Sequence, residues 1–473
     1  MNASENGNSR VSLRRKLAFS TGEVGDGVAY QSFSFLIFTF YFTVVKLPVT
    51  WISLGFIAWS FWNSINDPLI GYLSDRTKTS KGRRIPWMIG GTIPLALIMV
   101  LLFTPPAGSE DNVLKFVYFL VMLFGFDTAY TCFNLNYNAS FSEIFVSVKD
   151  RAEVGRLRII FVVFSLILAF VLPTIIIEDL ANQNAYPYTQ DQYILNGIIA
   201  AIIVVVTYII NLKWGMKNTK EFSKDAETAM GMKENLKHVL KNKTFLLFII
   251  PALGTWIVIG ILPTVIPLWA TYVLKVNEDD SLLTGLLLLA AFFTAGLSTP
   301  FWTEIRQKKD ARTAGMLGVA VWGCAVLTYL LANELVMGVV SMVFVGFGLG
   351  GGLYFYDQCI AEIIDEDEVR HGTRRAGTYY GAISFIIRLA GVINFVMIGL
   401  VFSGSEWETY SPNPGLDVLL GLNFLIAIYP ALVLLASFIG LYFYPIKGKH
   451  LLETRVKLDK LHSEKRTNAL KDD

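Results

Sequence analysis

Read from its N-terminus, the chain alternates between long apolar runs and short polar segments. Twelve apolar runs stand out, at approximately 17–45, 50–74, 85–104, 114–142, 152–177, 194–213, 245–274, 281–303, 313–332, 335–362, 375–402 and 417–445. Each is close to or beyond the roughly 20 residues a helix needs to cross a hydrocarbon core about 30 Å thick. A helix satisfies its own backbone hydrogen bonds, which lipid cannot do. The pattern predicts an all-α membrane protein with twelve transmembrane helices.

The polar segments set orientation and divide the chain. Arg76, Lys78, Lys81, Arg83 and Arg84 follow the second run, and Lys149 and Arg151 follow the fourth. A longer basic stretch from Lys217 to Lys243 follows the sixth, and Arg306, Lys308, Lys309 and Arg312 follow the eighth. Segments after odd-numbered runs hold little positive charge beyond Lys46 and Lys275, and are otherwise acidic or polar, as at Glu178-Asp179 and Glu278-Asp279-Asp280. Lys and Arg collect on the cytoplasmic side of membranes, so both termini are expected there, as an even number of spans requires. The loop at 214–243 separates a first six-helix bundle, 1–213 with its polar N-terminal tail, from a second, 244–445. Residues 446–473 read as a charged tail, helical in part and solvated. Two such halves suit a carrier whose substrate site lies near the bilayer midplane. The N-terminal segment lacks the order of a cleavable signal, and no glycosylation sequon falls in an expected external loop. The expected location is a prokaryotic plasma (inner) membrane.

Several runs are not uniformly apolar. The second contains Asn63-Ser64-Ile65-Asn66-Asp67-Pro68. A carboxylate at the centre of a span costs roughly 2.5–3.5 kcal/mol on insertion scales. Asn63, Asn66 and Asp67 sit at i, i+3 and i+4, so one helix face gathers their oxygens. Such a face suits Na⁺ or a proton, or an interhelical hydrogen-bond knot. The first run offers Glu23, Asp26 and Tyr30 on one face, and the fourth offers Asp127, Thr131, Asn134 and Asn138. Polar stripes inside spans face a cavity or another helix. Glu23 and Asp26 could serve a solute or could pair with Arg158 or Arg388. Tyr30, Trp59, Trp62, Tyr137, Trp256, Tyr379 and Tyr380 are rings placed where a solute could stack, although most membrane-protein aromatics pack or anchor. The glycines from Gly346 to Gly352 suit close helix packing rather than a nucleotide loop.

Composition sharpens this only slightly. Of 473 residues, 53% are hydrophobic and 16% charged, against about 25% charged in soluble domains. A net charge of +2 does not call for a nucleic-acid partner. Cys132, Cys324 and Cys359 form no disulfide or metal pattern. With four histidines and no nucleophile–base pair in the spans, an enzyme is not expected.

Gly71-x-Leu73-x-Asp75-Arg76, followed by Gly82-Arg83-Arg84, resembles the loop motif of the major facilitator superfamily. Read together, Trp62 to Pro68, Tyr130-Thr131, Asp150-Arg151 with Arg158, Glu362-x-x-Asp365-x-x-Glu368, Gly372 to Gly377 and Arg388 resemble the glycoside–pentoside–hexuronide:cation symporters, whose best-known member is melibiose permease. The resemblance spans roughly residues 16–400. It implies the major facilitator fold, two pseudo-symmetric six-helix bundles, and a cation site at Asn63, Asn66, Asp67 and Thr131. The family's sodium-coupled members carry Asp where this chain has Asn63, which shifts emphasis to Asp67 and leaves Na⁺ and H⁺ both open; Glu23 or Asp127 could contribute. The family's sugar-binding carboxylates fall on Gly27 and Asn134. Asp26 is one residue, about 100° of helix, from the first. Arg158 matches the site arginine, and Arg388 replaces a usual lysine.

The expected function is cation-coupled symport of a small polar solute by alternating access. Glu23, Asp26, Tyr30, Asp127, Asn134, Asn138, Arg158, Tyr380 and Arg388 are the expected solute residues. The solute is expected to be a glycoside, oligosaccharide or sugar acid, with the two arginines leaning towards an anion. Asp75 and Arg83 are expected to latch the cytosolic side, and Glu362, Asp365 and Glu368 to gate it against Arg374 and Arg375. No cofactor is expected beyond Na⁺ or H⁺ as coupling ion. The expected partners are the solute, the cation and the lipid bilayer, with the carrier working as a monomer. A carrier of lysolipid or another amphiphilic or anionic solute is the alternative, and a non-transporting sensor on the same fold a more remote one.

Overall fold

The computed structural model describes residues 11–106, 111–145, 147–178, 180, 188–217, 239, 241–276, 281–372 and 376–472. Within these residues the chain is helical throughout, in thirteen consecutive rods. They are α1 (Leu13–Val44), α2 (Val49–Arg76), α3 (Ile85–Leu101), α4 (Asn112–Ile144), α5 (Val148–Ile176) and α6 (Tyr188–Ile210). There follow α7 (Lys243–Tyr272), α8 (Ser281–Lys308), α9 (Ala311–Leu327), α10 (Leu335–His371), α11 (Ala376–Gly404), α12 (Leu416–Phe443) and α13 (Gly448–Asp472). Most of the expected central loop lies outside the described residues. Ten of these rods are long and apolar enough to cross a membrane. The expected second and third spans fall outside that group for separate reasons. The residues of α2 include Asn63, Asn66 and Asp67, which lower its hydropathy, while α3 is simply shorter.

Local signals set the helix ends. Asp111, Asn242 and Asp310 accept from backbone N–H groups of the first turns of α4, α7 and α9, satisfying donors that have no intrahelical partner. Gly372 ends α10 at φ 75°, a left-handed conformation that glycine adopts without a Cβ penalty.

The contacts divide the chain into two units. Unit 1 comprises Met1–Ala229, Val276–Leu289 and Ile398–Val418. In it α1 packs on α5 and α6, α2 on α4, and α3 on α4 and α6. Unit 2 comprises Met230–Lys275, Ala290–Met397 and Leu419–Asp473, with α9 packed on α10 and α12, and α7 on α12. The glycines of α10 do the packing expected of them: a Cβ on Gly351 would lie 2.7 Å from Gly318 Cα, so the α9–α10 crossing admits no side chain there.

The helix α10 runs nine residues beyond the expected span. Glu362, Asp365 and Glu368 therefore lie on its last turns rather than in a solvated loop, and Glu362 and Glu368 are buried. The tail is also not simply solvated, since α13 packs on α10 and buries Leu451 and Thr454.

Candidate functional site

On α2, Asn63, Asn66 and Asp67 share the expected face, and Asn63 and Asn66 are at most 3% exposed. Pro68 follows inside the same helix and removes one backbone N–H from the ladder. The facing helix is α4. Thr131 Oγ1 donates to Asp67 Oδ1 at 3.0 Å, and Asn66 Nδ2 donates to Asp127 Oδ2 at 2.9 Å. Asp127 and Thr131 are one turn apart on α4, so both bonds lie on one seam. Two carboxamide oxygens there, Asn63 Oδ1 and Asn66 Oδ1, are buried without a hydrogen-bond partner. A buried acceptor without a donor is costly unless something positive supplies one. The donor set is thus two carboxylates, two amide oxygens and a hydroxyl, all hard oxygen ligands of the kind Na⁺ takes.

Asp127, expected among the solute residues and as a possible contributor to the cation site, bonds Asn66 of that cluster.

A second polar group lies on α1, α4 and α5. Asp26 Oδ1 accepts from Asn134 Nδ2 at 2.5 Å. Arg158 Nε donates to Glu23 Oε1, and Arg158 Nη2 donates to Asn138 Oδ1 at 2.7 Å. Its guanidinium sits 5.3 Å from the Tyr137 ring and 5.1 Å from that of Phe141. Tyr30 lies beside Tyr130 with ring centroids 5.4 Å apart. Of the residues expected at the solute, Glu23, Asp26, Tyr30, Asn134, Asn138 and Arg158 are thus brought together in unit 1. Arg388 and Tyr380 belong to unit 2.

Most rings considered for stacking are structural. Trp59 packs on Phe33 and Phe56, Trp62 stacks on Phe124 and donates to Thr128, Tyr137 stacks on Phe19, and Tyr379 accepts from Asn242. Their partners are aromatic or polar groups of neighbouring segments, which leaves those rings committed to packing.

At the end of α2 that carries Arg76, the loop motif gathers a cluster of ion pairs. Arg83 and Arg84 approach Asp75 at 3.7 and 3.5 Å, and both bond more closely to Glu143 at 2.7 and 2.6 Å. Burial alone would raise the Glu143 carboxyl, but the hydrogen bonds and charges of Arg84 and Arg83 outweigh it and hold the group below its ordinary 4.5. Elsewhere in unit 1, Lys16 is buried between Asp150 and Glu153, 2.5 Å from each. In unit 2, Glu366 accepts from Thr244 at 2.9 Å, pairs with Arg370 at 2.6 Å and meets His450 of α13 at 2.8 Å. Arg455 of α13 lies 3.9 Å from Glu362. The expected partners Arg374 and Arg375 lie outside the described residues.

The family model for MFS/sugar transport proteins matches residues 18–448. The chain belongs to this family. It is a multi-pass membrane transporter, and its relatives are carriers rather than enzymes. An uncharacterized symporter of Synechocystis sp. is 23% identical, over 92% of this chain and 95% of the relative. The sodium-dependent lysophosphatidylcholine symporter 1 of Xenopus tropicalis is 22% identical, over 98% of this chain and 93% of the relative. Among solved structures, a D-xylose-proton symporter superposes with a TM-score of 0.64 at 14% identity, covering 92% of this chain and 98% of that one. The nucleoside transporter NupG gives 0.60 at 12% identity, covering 91% of this chain and 100% of that one. These likenesses establish the transporter's fold.

Three participants escape a reading of the transporter's sequence: Lys16, Glu143 and His450. Lys16 follows Arg14 and Arg15 and reads as part of a basic tail. Glu143 stands alone at the end of a span, and His450 in a tail of scattered charge. Glu366, by contrast, is signalled by the acidic run before Arg370, which follows it at i+4.

Proposed function

We propose that this transporter couples the movement of Na⁺ to that of a small polar solute in the same direction, by alternating access. The observation that carries the reading is the pair of buried, unpartnered amide oxygens of Asn63 and Asn66 beside Asp67, Thr131 and Asp127. A proton needs one carboxylate. Two carboxylates with three neutral oxygens suit a hard cation better. Asp67 and Asp127 would supply the charge, and the amides and Thr131 the remaining ligands. Cation and solute would then favour each other's binding, reciprocally, by linkage.

The solute would meet the polar group of Asp26, Asn134, Asn138, Glu23 and Arg158 on unit 1. The charge asymmetry of the loops supports cytoplasmic termini. A prokaryotic inner membrane and action as a monomer complete the proposal.

The test is uptake by purified protein in proteoliposomes under an imposed sodium gradient, a proton gradient or neither, with neutral sugars, sugar acids and lysolipid as probes. Sodium-driven accumulation of a sugar supports the reading. Uptake indifferent to both gradients contradicts it.

A second reading, a lysolipid carrier, is favoured by the relatives named as sodium-dependent lysophosphatidylcholine symporters, which match 98% of this chain. Sodium-driven uptake of lysophosphatidylcholine with no uptake of sugars would select it.

A further inference from the structure

The start of α1 and the chain leaving α6 are pinned together in unit 1. After α6 the backbone forms a π-helical turn, Asn211–Gly215. Asn211 Nδ2 donates to Phe19 O at 2.7 Å. A Cβ on Gly215 would lie 2.6 Å from Phe19 N, so glycine lets the turn lie directly on the backbone of α1. These two fixings hold Trp214 beside the first turns of α1. Its ring then meets two cations, the Arg14 guanidinium 5.9 Å from the ring centroid and Lys213 Nζ 4.9 Å from it.

An indole attracts cations but carries no formal charge to balance them, and two cations at one ring repel each other. Among the described residues neither Arg14 nor Lys213 has a carboxylate partner. The acids that α5 brings to the start of α1, Asp150 and Glu153, are both drawn to Lys16. Arg15, beside Arg14, keeps a buried Nε with no acceptor, and Lys217 stands exposed two residues past the turn. The corner therefore has donors and positive charge in excess of acceptors.

The cations adjoin an apolar strip. Leu13 and Leu17, one turn apart on α1, are 64% and 39% exposed, and Trp214 is 39% exposed. A dissolved anion would use only the cations. An amphiphile with an anionic head uses both, and tryptophan suits the boundary between the two because its body is apolar and its N–H polar.

We infer that this corner of unit 1 binds one anionic phospholipid, with its phosphate held by Arg14 and Lys213 at Trp214 and its chains along Leu13 and Leu17. A zwitterionic headgroup brings a cation of its own next to two others, so the lipid selected carries net negative charge. The site requires only that the chain spans a membrane and holds whatever its solute.

The experiment titrates the full chain, purified in detergent, with phosphatidylglycerol, phosphatidylcholine or inorganic phosphate. Thermal midpoint and native mass spectrometry are the readouts. Phosphatidylglycerol should raise the midpoint and remain bound as one molecule per chain, while phosphatidylcholine and inorganic phosphate at the same concentrations should do neither. Arg14→Gln with Lys213→Gln should raise the half-saturating concentration of phosphatidylglycerol about tenfold to thirtyfold, the range for two basic residues at an anionic lipid surface. Arg14→Lys with Lys213→Arg, which keeps both charges, should retain most of the affinity. Lys78→Gln with Lys81→Gln removes equal charge from another exposed segment of unit 1 and should leave the titration unchanged. Equal weakening by the two Gln pairs would show diffuse surface attraction and overturn the site. An equal response to phosphatidylcholine or to inorganic phosphate, or an unaltered titration in the Arg14→Gln, Lys213→Gln protein, would overturn it as well.

Discussion

Asn66 donates its Nδ2 hydrogen to Asp127 Oδ2 at 2.9 Å, joining α2 to α4 and leaving Asn66 Oδ1 buried with no donor of its own. One amide thus does two things. Its nitrogen positions a carboxylate from another helix, and its oxygen is the one that the proposed cation would use. In Asp127→Asn that carboxylate becomes an amide and the cluster loses one of its two formal charges. Sodium affinity should fall by about tenfold or more, as expected when a charged ligand is replaced by a neutral one of the same shape. Sodium-dependent thermal shift of the purified protein measures it. An unchanged midpoint concentration would remove Asp127 from the site.

The ion pairs of Glu143 with Arg83 and Arg84 should bear on stability. Replacing Glu143 with Gln leaves two largely buried guanidiniums without their closest anion, a loss of about 2–4 kcal/mol for a pair of this burial. A lowered thermal midpoint in detergent would show it. The sign with pH follows from the depressed carboxyl. The native group titrates below its unfolded value, so its contribution is complete above about 4.5 and is lost as the pH falls through the lower native value. Between pH 6 and 8 the Glu143→Gln penalty should therefore be constant, which parallel melts at those two values would check.

At the other end of α2, Pro48 offers no side-chain cap. The first N–H groups are satisfied from a distant segment: Val49 N donates to Glu408 O at 2.8 Å and Thr50 N to Glu408 Oε1 at 3.2 Å. Trp407 beside it is buried against Phe42, Phe402 and Tyr410. Glu408→Ala should cost about 1 kcal/mol, as for loss of a helix cap, and Trp407→Ala about 3–5 kcal/mol. Thermal melts of the two variants should keep that order.

His450 ties α13 to α10 through Glu366. Replacement by Leu removes one of three groups holding a buried carboxylate and should cost about 1–2 kcal/mol. Faster limited proteolysis of the C-terminal helix in His450→Leu would report its release from α10.

The fold was largely legible because lipid imposes a long apolar period that few other structures share. The α2 cluster was legible for a related reason: Asn63, Asn66 and Asp67 are costly in a span unless used, and their spacing fixes a common face. The partner helix was only half legible. Thr131 and Asp127 are one turn apart, yet nothing in their own sequence says which meets Asp67 and which meets Asn66. The pairing of Arg158 with Glu23 rather than Asp26 was illegible for the same reason. It depends on the rotation of α5 against α1, which the two helices' own sequences do not state. Close helix approach at Gly27, set by Ser165 on another helix, is likewise invisible until both helices are in place.

On the proposed reading, Asp67 links the cation to the solute. The direct measurement is transport by Asp67→Asn in proteoliposomes, comparing sodium-driven accumulation with solute exchange at equal concentrations on both sides. Accumulation should be abolished while exchange persists, because the polar group proposed for the solute on α1, α4 and α5 is untouched. Accumulation at the wild-type level would contradict it.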